Sequence, residues 1–304
     1  MATKSKLKGR DPATVEPSKP KIVVYGKPGV GKTWAALDFP NVFYIDTEGG
    51  ADLDHYRKKL RDSGAVYFGP DDGSLDFNEV IEQVQALATE DHDRKTLVID
   101  SLSKLFNNQI SVTQDRMVRD AAAKGKEYDP TADFGASKKE AIGHMRRMVA
   151  WLDRLDMNVI LIHHEKSTWK DGKEVGTTFD SWDKLEYELH LVIRVMKNGP
   201  ERRAYVGKTR LEQFPDGSSF LWSFAEFAKR YGEEVIGRKS VRANLCTDEQ
   251  KADYNALLLR VKVQPDTLSK WEAATPDIAL LDADSMQKRL DWLNKQLAAQ
   301  TAAA

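Results

Sequence analysis

Ile22-Val23-Val24-Tyr25-Gly26-Lys27-Pro28-Gly29-Val30-Gly31-Lys32-Thr33 is the stretch on which the reading of this 304-residue chain turns. It opens with β-formers, runs through G-x-x-x-x-G-K-[ST], and passes into Trp34-Ala35-Ala36-Leu37, so the motif lies between a strand and a helix, as its chemistry requires. The glycines allow successive backbone N–H groups to turn inward and form a nest for phosphate oxygens. Lys32 is then placed to reach the β- and γ-phosphates, and Thr33 to ligate Mg²⁺. The whole segment Gly26 to Trp34, with Lys27, Pro28, Gly29, Val30 and Gly31, is expected to hold ATP with Mg²⁺.

Such a site also needs a carboxylate at the end of a neighbouring strand, and Thr96-Leu97-Val98-Ile99-Asp100 supplies one. Asp100 is expected to hold Mg²⁺ directly or through its water. Hydrolysis needs a group that orients or deprotonates water. Glu48, in Tyr44-Ile45-Asp46-Thr47-Glu48-Gly49-Gly50, leaves a strand at its C-terminal end, where an open α/β sheet places its ligands.

Outward from these motifs, β-rich runs alternate with helical stretches, the pattern of an α/β fold with a mostly parallel central sheet. Strands are predicted over 22–25, 42–45, 65–68, 96–99, 159–162, 189–195 and 203–206, the last two forming a hairpin about Asn198-Gly199-Pro200. Helices are predicted from Thr33 to a stop at Pro40, over 77–88, and over 136–155. Residues 1–19 read as a disordered basic tail, 20–237 as the ATPase domain, 238–246 as a linker and 247–304 as a small helical module. In that module Thr247 with Gln250, and Asp284 with Gln287, stand at N-cap and N3 spacing.

With 46 basic and 47 acidic residues the net charge is -1, so no global field announces a nucleic acid or membrane partner, and any such partner must meet a local patch. A single cysteine, Cys246, excludes an internal disulfide and a multi-cysteine zinc site. Apolar runs are far short of the ~20 residues that span a bilayer, and Lys4, Lys6, Lys8 and Arg10 precede no apolar segment, so a cytoplasmic protein is expected.

The order of P-loop, strand-Asp46-Thr47-Glu48-Gly49 and strand-Asp100-Ser101 resembles the RecA/RadA recombinase core over roughly residues 20–235. With Ile162-His163-His164-Glu165-Lys166 it looks most like the phage nucleotide-binding ATPases, some of them RecA-like single-strand annealing proteins. The resemblance implies a RecA-like fold, Glu48 as the catalytic base, single-stranded DNA as partner, and self-assembly into a ring or filament. It also implies a γ-phosphate sensor where this chain has His163-His164 in place of Asn-Gln; His164 takes that role or is merely structural. A metal shared by the two histidines is improbable, because adjacent strand residues face opposite sides.

By the same resemblance, 165–184 stands where the second DNA loop falls, with Lys166, Trp169, Lys170, Lys173 and Trp182; a plain loop is the alternative. Lys124, Lys126 and Tyr128, in 120–134, stand at the first. Lys208 and Arg210, after the last hairpin strand, match cations that reach a neighbouring subunit's γ-phosphate. The C-terminal helices could dock a single-strand-binding, replication or recombination protein. The rival functions are a helicase or its loader, and a nucleotide-dependent switch that recruits a protein partner.

Overall fold

The apolar run Ile22 to Tyr25 forms β1 (Lys21–Gly26) inside a largely parallel sheet in the computed structural model of the chain. The structure describes residues 11–50, 53–129, 133, 135–275 and 277–302. The basic residues of the expected tail up to Arg10, Phe134 of the expected first DNA loop, and the last two alanines lie outside them. The chain divides into two units: Met1–Tyr67, Arg94–Ser103 and Met157–Lys239 make the first, and Phe68–Asp93, Lys104–Asp156 and Ser240–Ala304 the second.

In chain order the elements are β1, α1 (Lys32–Ala36), β2 (Val42–Asp46), α2 (Asp54–Asp62), β3 (Val66–Phe68), α3 (Phe77–Thr89), β4 (Thr96–Asp100), α4 (Leu102–Ala123) and α5 (Ala136–Arg154). They continue with β5 (Asn158–Lys170), β6 (Lys173–Phe179), α6 (Leu185–Glu188), β7 (Leu191–Asn198), β8 (Glu201–Thr209), β9 (Ser219–Leu221), α7 (Phe224–Tyr231) and α8 (Glu233–Gly237). The C-terminal helices are α9 (Asp248–Arg260), α10 (Pro265–Ala274) and α11 (Ala283–Ala302).

The sheet runs β3-β2-β4-β5-β1-β7-β8-β9, with β6 paired to β5 off that path. Pairs β2·β4, β4·β5, β5·β1 and β1·β7 are parallel, and β7·β8 and β8·β9 antiparallel. This is the expected α/β architecture with a mostly parallel sheet. Ile22, Val23 and Val24 are all inaccessible, as a strand buried on both faces must be, which is why β1 reads as a continuous apolar run instead of an alternating one.

On one face of the sheet, Val24, Tyr44, Val98, Ile162 and Ile193 gather with Leu37, Phe39, Leu60, Phe214 and Phe227. Phe227 is the hub of this cluster. Its ring lies 5.1 Å from that of Phe214 and 5.5 Å from that of Phe39. The polar segment read as a tail is tied down at its end: Lys19 is buried and donates to the Arg238 carbonyl, and Tyr231 donates to that of Ser18.

In the second unit α3 packs on α5, and the backbone of Ala243 donates to Ala88. The three C-terminal helices enclose Tyr254, Leu257, Met286, Leu290 and Leu293, with Trp271 and Trp292 packed edge to face beside them. Thr247 and Gln250 form the expected capping box. The second cap falls two residues earlier than expected, because the Asp282 carboxylate, not that of Asp284, accepts the Ser285 N–H. No helix among the described residues is long and apolar enough to cross a membrane.

The segment 165–184, expected as a DNA loop, is different from that expectation. β5 continues to Lys170, turns at Asp171-Gly172 with both residues at positive φ, and returns as β6. Asp-Gly between two β-capable runs closes a two-residue turn whose twist matches its strands, so the segment is a hairpin. Trp182, expected to offer a stacking face, is buried.

Phe227→Ala should cost about 3 to 5 kcal/mol, since it empties a ring-sized volume at the centre of the aromatic cluster. A urea midpoint lowered at unchanged slope is the expected readout.

Candidate active site

Parallel pairing brings the C-terminal ends of β1, β4 and β2 level with the middle of β5, with Gly26 opposite His164 and Asp46 opposite Asp100. Every group singled out for phosphate chemistry in the P-loop, Glu48, Asp100 and His164 therefore converges on one edge of the sheet. The loop needs its glycines for two separate reasons. Gly29 and Gly31 hold φ of 74° and 86°, and a Cβ on Gly26 would stand 2.3 Å from the Val195 carbonyl oxygen.

Lys32 folds back on the loop, its ammonium donating to the carbonyls of Gly26 at 2.8 Å and Lys27 at 3.0 Å. Burial lowers its pKa, and the carboxylates of Asp100, Glu48 and Glu165 oppose that fall. The Thr33 hydroxyl donates to Oδ2 of Asp100, and the Tyr44 hydroxyl reaches the same oxygen at 3.2 Å. Burial pushes the Asp100 carboxyl up to about 6 despite the Thr33 bond.

These donors fit a hard dication. Thr33 and Asp100 offer oxygens in contact with each other, and a desolvated carboxylate gains from a nearby cation. Among the described residues no group of three or more His, Cys, Asp or Glu could hold a metal alone. A dication here would therefore share its shell with phosphate oxygens and water, the habit of Mg²⁺.

Glu48 is held by a set of residues that its sequence neighbourhood did not announce. Asp46, buried, accepts the N–H groups of Glu48 and Gly49 at 2.8 and 2.9 Å, fixing the turn. Thr47 clamps that turn to the end of β4: its N–H donates to Asp100 O, and its hydroxyl bonds to the Ser101 backbone, donating to the carbonyl and accepting the N–H. Asp-Thr after a strand is the only hint of this in sequence, and it reads equally as an ordinary turn.

The Glu48 carboxylate then meets Nε2 of His164 at 2.5 Å, and the Ser101 hydroxyl lies 3.1 Å from the same nitrogen. The His164 bond draws the Glu48 carboxyl down to about 2, and the carboxylate raises the imidazole in turn. Both side chains are close to half exposed, so solvent screens this pair. His163 faces the other way, fully buried beside Ser103 at 3.2 Å, and burial drops its pKa to about 3. The two histidines do not share a site, as alternation along a strand demands.

The remaining expected residues separate. Trp34 is half exposed, with the Lys59 ammonium 4.3 Å from its ring. Lys166 is shared between Asp180 and Asp183 at 3.6 and 3.5 Å, while Trp169, Lys170 and Lys173 stand exposed at the tip of the β5–β6 hairpin. Lys124 and Lys126 follow the end of α4 in the second unit.

Lys208 and Arg210 lie at the opposite edge of the sheet, because antiparallel β8 sets Thr209 against Leu191, which pairs with Ile22 near the start of β1. About four residues of strand, roughly 13 Å, part that level from Gly26. Their side chains donate to the carbonyls of Leu189 and Tyr187. They do not serve this chain's own loop. Arg202 does lie against the loop, its stem in van der Waals contact with the position of a Gly31 Cβ.

An AAA domain family model matches residues 18–213. No curated protein matches the chain. Among solved structures it is similar to the RadB recombinase, with 18% identity, a TM-score of 0.42, and coverage of 66% of this chain and 86% of that one. It is also similar to the flagellar accessory protein FlaH from Methanocaldococcus jannaschii, with 12% identity, a TM-score of 0.36, and coverage of 68% and 86%.

Two outcomes follow for the acids. Glu48→Gln should return the His164 pKa toward its ordinary value, read by NMR titration of the imidazole. The pair's contribution to stability is whole between the unfolded pKa values of about 4.5 and 6.5. It fades as pH falls toward 2 and as pH rises through the raised His164 value. Asp100 works in the other sense: its raised pKa favours the folded state at low pH, and that benefit is lost between 3.8 and about 6. Asp100→Asn should therefore raise the melting temperature of the nucleotide-free protein at pH 7 while abolishing any Mg²⁺-dependent rise.

Proposed function

The chain belongs to the AAA domain family of P-loop NTPases, and on that premise we propose that it is a Mg²⁺-dependent ATPase that binds single-stranded DNA and promotes annealing or strand pairing, in the manner of RecA-like proteins. The observation that carries this reading is the placement of the Glu48–His164 pair beside the P-loop and at the root of the β5–β6 hairpin.

The chain's own groups divide the work. Backbone N–H groups of the loop and the Lys32 ammonium bind the phosphate chain, for which Lys32 gives up its two carbonyl partners. Thr33 and Asp100 would hold Mg²⁺, which would supply charge neutralisation to the phosphates. Glu48 aligns a water whose oxygen attacks the γ-phosphorus as the bond to the ADP oxygen breaks, and the water's proton passes to the carboxylate.

A carboxyl with a pKa near 2 is a feeble base, yet phosphoryl transfer rests mainly on positioning and electrostatics. Orientation of the water through an accepted hydrogen bond is thus the larger part of Glu48's contribution. His164, whose imidazole Glu48 biases toward the protonated form, offers its N–H to a γ-phosphate oxygen in competition with that carboxylate. Lys208 and Arg210, far from their own loop, suit a contact with the next subunit's nucleotide, which a head-to-tail ring or filament would create.

At the hairpin tip Trp169 is 65% exposed, and Lys170 pairs with Lys173 across the turn. An exposed indole next to a pair of cations is the combination that tracks single strands, stacking a base while the ammonium groups meet phosphates. A switch indifferent to nucleic acid would have no use for it.

Steady-state hydrolysis should rise with single-stranded DNA, the rise fading with salt, and duplex should not substitute. Lys32→Ala should abolish nucleotide binding, and Glu48→Gln should keep binding but slow turnover by at least about a hundredfold. Replacing Lys170 and Lys173 together by alanine should flatten the slope of log affinity against log salt by about 1.4. Hydrolysis unmoved by any nucleic acid, with an unchanged salt slope, would remove DNA from the function and leave the ATPase.

A further inference from the structure

The β7–β8 hairpin touches the P-loop at both of its ends, and the two contacts have different chemistry. At the first glycine the contact is backbone, with Val195 O so near Gly26 that no side chain fits. At the last it is the stem of Arg202, whose Cγ, Nε and Cδ stand 3.5 to 3.7 Å from where a Gly31 Cβ would be. The sheet fixes the backbone from which this arginine projects: Arg202 pairs with Lys197 on β7, and its carbonyl accepts the Trp222 N–H at 2.7 Å.

Three arginines project from this hairpin, and their charges are treated unequally. Arg194 forms a two-point bridge with Glu165 at 2.8 and 2.9 Å, and Arg203 pairs with Glu201 at 3.3 Å. Among the described residues, Arg202 meets only the backbone carbonyls of Pro200 and Glu201 in its own turn, at 3.2 and 3.5 Å. The one guanidinium left with neutral partners is thus the one laid against the loop.

We propose that Arg202 is a phosphate-binding residue of this chain's own nucleotide site, contacting the phosphate chain of a nucleoside di- or triphosphate in cis. The inference rests on the loop being the nucleotide site. A planar guanidinium offers two parallel N–H groups to phosphate oxygens, and charge-assisted bonds of that kind displace longer bonds to neutral carbonyls. Swinging the head from the turn to the phosphates needs only rotation about the last side-chain bonds, since the stem already lies on Gly31. Lys32 and Arg202 then approach the phosphates from separate directions, the lysine from within the loop and the arginine from β8.

The test is calorimetric titration of the full chain, free of DNA, with ADP, a non-hydrolysable ATP analogue and adenosine, each with Mg²⁺. Arg202→Met keeps the stem and removes the fork. It should weaken both phosphorylated ligands by roughly tenfold to a hundredfold and leave adenosine unchanged. Arg202→Lys should recover part of the loss, and Arg203→Met should bind as wild type. Should the methionine variant melt below the assay temperature, Arg202→Gln carries the same expectation. Wild-type affinity in these Arg202 variants overturns the proposal. Wild-type affinity in Lys32→Ala would instead show that the loop is not the site, a separate failure. Adding excess Lys32→Ala chain, which retains Arg202, should leave the Arg202→Met affinity low; recovery would place the arginine in trans and overturn the assignment in cis.

Discussion

In-register parallel pairing of β1, β5, β4 and β2 is the constraint on which the rest of this protein depends. Gly26, His164, Asp100 and Asp46 belong to four separate segments of the sequence, and they share one edge because β1, β4 and β2 end beside the same stretch of β5. A slip of one residue in any pair would turn alternate side chains to the opposite face. Asp100 would then leave Thr33, and His164 would exchange places with the buried His163. The continuous burial of Ile22 to Val24 and Leu97 to Ile99 penalises such a slip less than an alternating pattern would, since both faces are apolar. Register here is held by polar contacts at the strand ends. Thr47 locks β2 to β4 through Asp100 and Ser101, and Asn158 binds Lys95 O, Thr96 and Ile236 O at the other end of β5.

Three acids stand at this edge, and each is managed by a different physical device. Asp46 is spent on backbone N–H groups and is structural. Glu48 is neutralised by an imidazole, a partner that can be exchanged because it is half exposed. Asp100 is desolvated and only hydrogen-bonded, so its charge is the costly one, and a cation would relieve it. That ordering separates scaffold, adjustable group and ligand-binding group without reference to any relative.

How much of this was legible in the sequence follows the range of the interactions involved. The P-loop, Asp100 and Glu48 were readable because each is a short motif whose local context, strand then turn, is itself visible in the residue pattern. The β5–β6 hairpin, which Asp171-Gly172 closes, falls where the resemblance implies a loop, and the apolar pattern that marks β5 stops at Ile162. Helix α4 escaped because its apolar residues lack a clean stripe over Leu102 to Ala123, so tertiary packing decides it more than periodicity does. The separation of Lys208 and Arg210 from the loop, and the approach of Arg202 to it, could not be read at all. Both depend on the antiparallel return of β8, which reverses which end of the hairpin is near Gly26.

Nucleotide site and hairpin share the residue His164, and the way its backbone is held limits how one can inform the other. Its N–H donates to the Ser103 hydroxyl at 2.9 Å, and its carbonyl accepts the Asp180 N–H at 2.9 Å across the root of the hairpin. Ser103 also donates to Asp180 O. A hinge at this point would break all three bonds together, and each buried group left unpaired costs more than the bond contributes. Side chains are the cheaper path. His164 can leave Glu48 by a change of rotamer without disturbing the backbone, and the Arg194–Glu165 bridge joins β7, beside the loop, to the first residue of the hairpin. Any two-state element at this edge would therefore be the half-exposed imidazole, not the strand that carries it.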